Sequence, residues 1–129
     1  MPGGPYVIDA SVVLAVMLAE LTPEQGEEWL TDACISAVNF AEVVATLTDR
    51  GLPPEMIAAK LARLNLDVMP FGQEQAVHAG NLRIETRHLG LSLGDRACLA
   101  LAAALNKPAA TADRAWAKLD LGVKIALVR

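Results

Sequence analysis

Four acidic side chains in this sequence are placed where they could do chemistry together: Asp9, Glu42, Asp95 and Asp113. Asp9 and Asp113 each follow a short apolar segment that predicts a strand. Glu42 and Asp95 lie in the first turns of apolar segments that predict helices. Carboxylates at close range repel one another unless a positive charge neutralises them. An all-oxygen site completed by water suits the hard ions Mg²⁺ and Mn²⁺ rather than zinc, so the pattern indicates a divalent-cation site.

The elements that would position these acids alternate between strand and helix along the chain. Strands are predicted over residues 6–8, 33–38, 66–71, 108–111 and 124–128, and helices over residues 12–20, 23–31, 39–51, 53–65, 73–88 and 92–105, with a short helix from Asp113. Parallel strands require crossover connections, so this alternation predicts an α/β fold with a parallel sheet and helices on both faces. Ligands bind at the carboxyl edge of such sheets, which is where the acids fall.

Each acid taken alone also has a simpler explanation as part of a helix cap. Asp9, Asn39 and Asp113 are good N-cap residues, and Ser11 can cap the first helix. Asn39-x-x-Glu42 and Ser92-x-x-Asp95 both resemble capping boxes. For any single acid the two interpretations stay open. Four acids at successive helix starts favour a shared site, because capping alone does not require their negative charges to meet.

Composition sets limits on the class of protein. The length of 129 residues predicts one globular domain over the whole chain, with a core of aliphatic rather than aromatic side chains, since hydrophobic residues make up 53% and aromatics 4%. No apolar run is long enough to span a membrane, and no basic leader precedes Arg50, so a cytoplasmic location is expected. Cys34 and Cys98 are too few for a disulfide framework or a zinc site.

The net charge of −4 argues against purely electrostatic binding of nucleic acid, although a bound cation would reverse the local sign. There is no obvious basic groove. Arg96 and Arg114 are candidates for contacting a substrate, and Arg87 and Lys118 could line the same approach to the acids. Arg96 and Arg114 directly follow an acid, so they are expected to point away from it on a helix.

The sequence resembles a PIN domain over its full length, and specifically a VapC-type toxin of bacterial or archaeal toxin–antitoxin pairs. The resemblance rests on the order and spacing of Val7-Ile8-Asp9-Ala10-Ser11, Asn39-x-x-Glu42, Leu93-Gly94-Asp95 and Thr111-x-Asp113. It implies a three-layer α/β/α fold with a mainly parallel sheet. It also implies a Mg²⁺- or Mn²⁺-dependent endoribonuclease of a type II toxin–antitoxin system, which forms homodimers and is inhibited by a VapB-like antitoxin.

The resemblance also implies roles for individual residues. Asp9 and Asp95 would be the principal metal ligands, with Glu42 and Asp113 contributing directly or through water. Ser11, Asn39 and Thr111 would support the site through hydrogen bonds; these seven residues are the predicted site. Hydrolysis would use a water activated by the metal, so no nucleophilic side chain is needed.

Two kinds of alternative are open. One is another α/β phosphohydrolase with an acidic edge. A receiver domain would carry neighbouring acids after its first strand, however, and a haloacid-dehalogenase-like phosphatase would carry a second Asp at the position of Ser11. The other is a catalytically inactive PIN-like binding module that holds a partner on its apolar helices. Cleavage of RNA distinguishes these alternatives from the nuclease.

Overall fold

The computed structural model describes residues 5–129, in which five strands alternate with seven α-helices. The first four residues of the predicted domain lie outside this range. The strands are β1 (Val7–Ile8), β2 (Cys34–Ser36), β3 (Asp67–Met69), β4 (Ala109–Thr111) and β5 (Ile125–Leu127). The helices are α1 (Ala10–Met17), α2 (Pro23–Leu30), α3 (Ala37–Asp49), α4 (Pro54–Leu64), α5 (Gln73–Asn81), α6 (Arg83–Thr86) and α7 (Leu93–Leu105), with 3₁₀ turns at Arg87–Leu89 and Arg114–Lys118.

The strands form one sheet in the order β3-β2-β1-β4-β5, and every neighbouring pair is parallel. Val7 in the central strand β1 is paired with Cys34 on one side and Ala109 on the other. All five strands were predicted from the sequence, and the predicted parallel α/β fold is confirmed. Because the strands run the same way, their carboxyl ends share one edge, and Asp9 lies there directly after β1.

The sheet separates two hydrophobic cores. Side chains of consecutive strand residues point to opposite faces. Ile8 and Ile35 therefore pack with residues of α1, α3 and α4, whereas Val7 and Cys34 pack with residues of α5 and α7. The three-layer α/β/α arrangement is thus confirmed. Among the described helices, none has the length and apolar character needed to cross a membrane.

The helix predicted over residues 73–88 is wrong as one element. It is divided into α5, α6 and a 3₁₀ turn that ends at Leu89 and is followed by Gly90, whose φ is +65°. Gly80 and Asn81 precede the first break, and both have low helix propensity. Leu82 follows them and is buried in the core beside α7, so packing of this side chain accompanies the interruption.

Two predicted helix caps are also displaced. Asp9 rather than Ser11 caps α1, because the Asp9 side chain accepts a hydrogen bond from the backbone N–H of Val12. Ser36 rather than Asn39 caps α3, because its hydroxyl accepts from the backbone N–H of Val38. Ser11 and Asn39 consequently lie inside their helices, with side chains that make other contacts.

Candidate active site

Asp9 is the most constrained of the four acids. It is 4% exposed and lies between β1 and α1. Its Oδ1 accepts hydrogen bonds from Ser11 Oγ at 2.6 Å and from the backbone N–H of Val12 at 3.2 Å. Its Oδ2 accepts from Thr111 Oγ1 at 2.6 Å, across the sheet from the end of β4. Both carboxylate oxygens are therefore held in place by donors from two different elements.

The two hydroxyl donors are themselves oriented by backbone groups. Ser11 Oγ accepts from the N–H of Ala112 at 2.9 Å, and Thr111 Oγ1 accepts from the N–H of Asp113 at 3.1 Å. Each hydroxyl has one proton to donate, and in this arrangement both protons are directed at Asp9. The turn after β4 and the start of α1 thus form one network around that carboxylate.

The pKa of Asp9 is raised above its ordinary value. Burial is the largest cause, because removal from water disfavours the charged form. The hydrogen bonds from Ser11, Thr111 and Val12 oppose this effect, and the negative charge of Asp95 adds to it. The network therefore recovers part of the charge stabilisation that burial removes.

Glu42 lies at the surface in α3, where its carboxylate faces the start of α7. Its Oε1 accepts a hydrogen bond from Asn39 Nδ2 at 3.2 Å, and the same Nδ2 donates to the backbone carbonyl of Gly94 at 3.0 Å. Asn39 is 1% exposed, so this amide is an internal link between α3 and α7. The predicted Asn39-Glu42 capping box is replaced by this side-chain contact.

The pKa of Glu42 is also raised, first by partial loss of hydration and next by the charge of Asp95. The hydrogen bond from Asn39 lowers it, and the charge of Asp9 raises it further. Asp9, Glu42 and Asp95 therefore interact electrostatically, although Asp9 precedes α1, Glu42 lies in the second turn of α3 and Asp95 lies in the first turn of α7.

Asp95 joins these groups from the first turn of α7. It forms the predicted capping box with Ser92: Asp95 Oδ2 accepts from the N–H of Ser92 at 2.9 Å, and Ser92 Oγ accepts from the N–H of Asp95 at 3.2 Å. One turn later the buried thiol of Cys98 has its pKa raised well above the usual value, by burial first and then by the charges of Asp9, Asp95 and Glu42. The three carboxylates thus lie around the amino-terminal part of α7.

Asp113 is less closely associated with Asp9 and Glu42 than Asp95 is. It is exposed, and its Oδ1 accepts from the N–H of Ala115 at 3.0 Å, which caps the 3₁₀ turn after β4. Its charge is not among the effects that shift the pKa of Asp9 or Glu42. Its backbone N–H nevertheless contacts Thr111, which donates to Asp9. The structure therefore groups Asp9, Glu42 and Asp95, with Asp113 at the rim.

The donor set fits a hard cation in its chemistry. The grouped side chains offer only oxygen, and the effects that shift the pKa values of Asp9 and Glu42 include no attraction to a lysine or arginine of the described residues. Within residues 5–129, however, no three His, Cys, Asp or Glu side chains converge closely enough to hold one ion as they stand. The carboxylates would have to turn toward one another to bind a metal.

The two arginines proposed to contact substrate differ in their surroundings. Arg96 is 8% exposed, and its Nη1 donates to the backbone carbonyl of Ala79 in α5 at 2.9 Å. This guanidinium is therefore engaged between two helices rather than presented beside the acids. Arg114 and Lys118 are exposed in the 3₁₀ turn that Asp113 caps.

Gly94 was expected only as part of the Leu93-Gly94-Asp95 motif, with no role of its own, yet the Glu42 carboxylate lies directly against it. The available signal was a glycine in the first turn of a helix, where glycine is disfavoured.

Comparison with known proteins identifies the family. The family model for the PIN domain matches residues 6–121, so this chain belongs to the PIN domain family. No curated protein matches the sequence.

Solved structures share the fold at low sequence identity. One is a chain of DNA-bound VapBC from Salmonella typhimurium, with a TM-score of 0.76, 18% identity, and coverage of 96% of this chain and 98% of that one. A toxin–antitoxin complex from Klebsiella pneumoniae matches with a TM-score of 0.68, 17% identity, and coverage of 93% and 99%. VapBC-5 from Mycobacterium tuberculosis matches with a TM-score of 0.63, 24% identity, and coverage of 96% and 99%.

Proposed function

We propose that this PIN-domain protein is a Mg²⁺- or Mn²⁺-dependent endoribonuclease and the toxin of a type II toxin–antitoxin pair. The observation that carries the proposal is the group of three carboxylates, Asp9, Glu42 and Asp95, at the carboxyl edge of the sheet, where burial raises the pKa of Asp9 and of Glu42 and the negative charge of Asp95 raises both further. Bringing like charges together opposes folding unless a cation neutralises them. In a nuclease such a cation would also take part in hydrolysis of the phosphodiester bond.

The metal ligands in this proposal are Asp9 and Asp95, with Glu42 and Asp113 contributing directly or through water. A bound Mg²⁺ or Mn²⁺ supplies an activated water and stabilises negative charge on the phosphoryl oxygens. The chain's own contribution is to keep the carboxylates charged and oriented. Ser11 and Thr111 do this for Asp9 with two hydroxyl donors at 2.6 Å.

Asn39 does the same for Glu42 from inside the protein. Its buried Nδ2 holds one carboxylate oxygen, which leaves the rest of the exposed carboxylate at the edge of the site. Supporting groups of this kind fix the geometry of metal ligands in other sites, where their loss reduces metal affinity or activity about 10–100-fold.

The proposed substrate is RNA, bound through its phosphates. Arg114 and Lys118 are exposed beside Asp113 and are the proposed phosphate contacts. The net charge of −4 leaves the bound cation as the main attraction for phosphate at the acidic edge itself.

The proposed partners are a VapB-like antitoxin and a second copy of this chain, and the proposed location is the cytoplasm. Support for the antitoxin comes from the fold: the similar structures from Salmonella typhimurium and Klebsiella pneumoniae are a DNA-bound VapBC and a toxin–antitoxin complex.

A second candidate is a non-catalytic binding module, which an apolar groove favours. The groove has a volume of about 570 Å³ and lies between α3 and α4, beside the edge strand β3. Its lining includes Phe40, Val44, Ile57, Leu61 and Val68. A protein that only holds a partner would use this surface and would not need the grouped carboxylates.

The test is cleavage of total cellular RNA by the purified chain with Mg²⁺ or Mn²⁺, beside EDTA and an Asp95→Asn variant. We expect fragments that are absent in both controls. Folded, metal-supplied protein that leaves varied RNAs intact would instead favour the binding module.

A further inference from the structure

Gly94 occupies an unusual place in α7. It is buried in the first helical turn, and its φ lies outside the left-handed region that favours glycine. Glycine at such a position destabilises a helix relative to alanine. The backbone conformation therefore does not explain why this residue lacks a side chain.

The space around Gly94 does explain it. A Cβ built on this residue would lie 2.6 Å from Cδ and 2.9 Å from Oε2 of Glu42, and it would overlap Oε1. All three of the nearest atoms that it would meet belong to that carboxylate. The absence of a side chain at position 94 thus leaves room for the Glu42 carboxylate against the helix.

Asn39 holds the carboxylate in this space. Its Nδ2 has two protons and two acceptors, Glu42 Oε1 and the carbonyl of Gly94 itself. Its buried Oδ1 has no hydrogen-bond partner among the described residues, which is unfavourable for a buried polar atom. The unpartnered oxygen of Asn39 is therefore unfavourable for stability, and the two hydrogen bonds donated by its Nδ2 are its favourable contribution.

We infer that Gly94 is a positioning residue for Glu42: together with Asn39 it seats the Glu42 carboxylate on the first turn of α7, next to Asp95. The inference rests on the proposed function, in which Glu42 contributes to a metal site. Gly94 contacts neither metal nor substrate and acts only through Glu42.

A methyl group at position 94 should displace the Glu42 side chain and impair function without preventing folding. The atoms that it would strike are the end of a flexible surface side chain, which can turn into solvent. Gly94→Ala should therefore give a folded protein whose Glu42 carboxylate is absent from the site. Gly80→Ala is the matched control, because Gly80 also lies in a helix and a Cβ there meets nothing within 4 Å.

The experiment measures Mn²⁺ binding by calorimetry, RNA cleavage and melting temperature for Gly94→Ala, Gly80→Ala, Glu42→Ala and the Glu42→Ala/Gly94→Ala double variant. We expect Gly94→Ala to lose Mn²⁺ affinity and cleavage about 10-fold or more, to the level of Glu42→Ala. The double variant should lose nothing further, and Gly80→Ala should behave as the natural sequence.

Melting temperatures test the contact between Glu42 and Gly94 without a measurement of nuclease activity. Gly94→Ala should lower the melting temperature more when Glu42 is present than in the Glu42→Ala background, where the added methyl group has space and alanine favours the helix. Loss of this coupling would overturn the inference, and so would a Gly94→Ala variant that binds Mn²⁺ and cleaves RNA normally while Glu42→Ala does not.

The remaining outcomes are also decisive. If Gly94→Ala does not fold but the double variant does, the conflict with Glu42 is supported; if neither folds, Gly94 is needed for another reason and the inference fails. Glu42→Ala could also bind Mn²⁺ and cleave RNA normally while Gly94→Ala still lowers the melting temperature more in the presence of Glu42. In that case Gly94 positions Glu42 as inferred, and the proposed role of Glu42 in the metal site is wrong.

Discussion

Replacing Thr111 with valine tests the network around Asp9 with a nearly isosteric change. The substitution removes the hydroxyl that donates to Asp9 Oδ2 at 2.6 Å and accepts from the Asp113 N–H at 3.1 Å, and it leaves the shape of the buried side chain almost unchanged. Hydrogen bonds to charged groups contribute about 1.5–3 kcal/mol. Since this bond favours the charged form, the pKa of Asp9, already raised, should rise further when it is lost.

The effect on stability has a definite pH dependence. Because the pKa of folded Asp9 is raised, its contribution to stability is fully present below the unfolded value of about 3.9 and is lost as the pH rises through the folded value. Thr111→Val makes this loss of stability larger, because the charged Asp9 carboxylate then has one hydrogen bond fewer. The free energy of unfolding should therefore fall by about 1.5–3 kcal/mol at neutral pH, and by less near pH 4.

Urea unfolding in EDTA at several pH values between about 4 and 8 measures this directly. Thr111→Ser is the control, because it keeps the hydroxyl and deletes a methyl group, which costs about 1 kcal/mol at every pH. A deficit for Thr111→Val that is constant across this range, like that of Thr111→Ser, would refute the role assigned to the hydrogen bond.

Three further predictions concern the acids and the core. In EDTA, Glu42→Gln should raise the free energy of unfolding by about 0.5–1 kcal/mol at neutral pH, because it removes a charge that repels Asp95. A free energy of unfolding equal to or below that of the natural sequence would contradict this repulsion. Mg²⁺ or Mn²⁺ at 100 times its dissociation constant should stabilise the protein by about 2.7 kcal/mol, and Asp95→Asn should abolish most of the resulting rise in melting temperature. Leu99→Ala, at a fully buried position, should cost about 2–5 kcal/mol in chemical denaturation, whereas Leu93→Ala, at a half-exposed one, should cost well under 1 kcal/mol.

The strands were predictable because their signal is local. Each strand from β1 to β5 falls within a short, largely apolar segment that was predicted from the sequence. The helix caps were less predictable, since several polar residues close together compete for the same backbone N–H groups. Asp9 and Ser11 illustrate this: both can cap α1, and only the position of Thr111 and Ala112 shows why the hydroxyl of Ser11 is used elsewhere.

The acidic cluster was predictable in part. The order of elements places Asp9, Glu42 and Asp95 at one edge of the sheet, and the structure shows that their charges interact. The groups that hold them depend on contacts between distant parts of the chain. Asn39 and the carbonyl of Gly94 are separated by 55 residues, so no local pattern could show their hydrogen bond.

Arg96 illustrates the same limit from the opposite side. From the sequence it was a candidate for contacting substrate, although it was expected to point away from Asp95 on the helix. The structure instead buries it with a hydrogen bond to the carbonyl of Ala79, 17 residues away. The apolar residues that follow it in α7 are buried as well, so Arg96 lies within a buried part of the helix.

The most direct test of the proposed metal-dependent nuclease is to follow Mn²⁺ binding and cleavage of one RNA in the same titration, with Asp9→Asn as the variant. We expect cleavage to rise in step with occupancy of the site, and both to be lost in EDTA and in Asp9→Asn. Cleavage that persists without metal, or an Asp9→Asn variant that binds Mn²⁺ and cuts RNA as the natural sequence does, would contradict the assignment of the active site to these carboxylates.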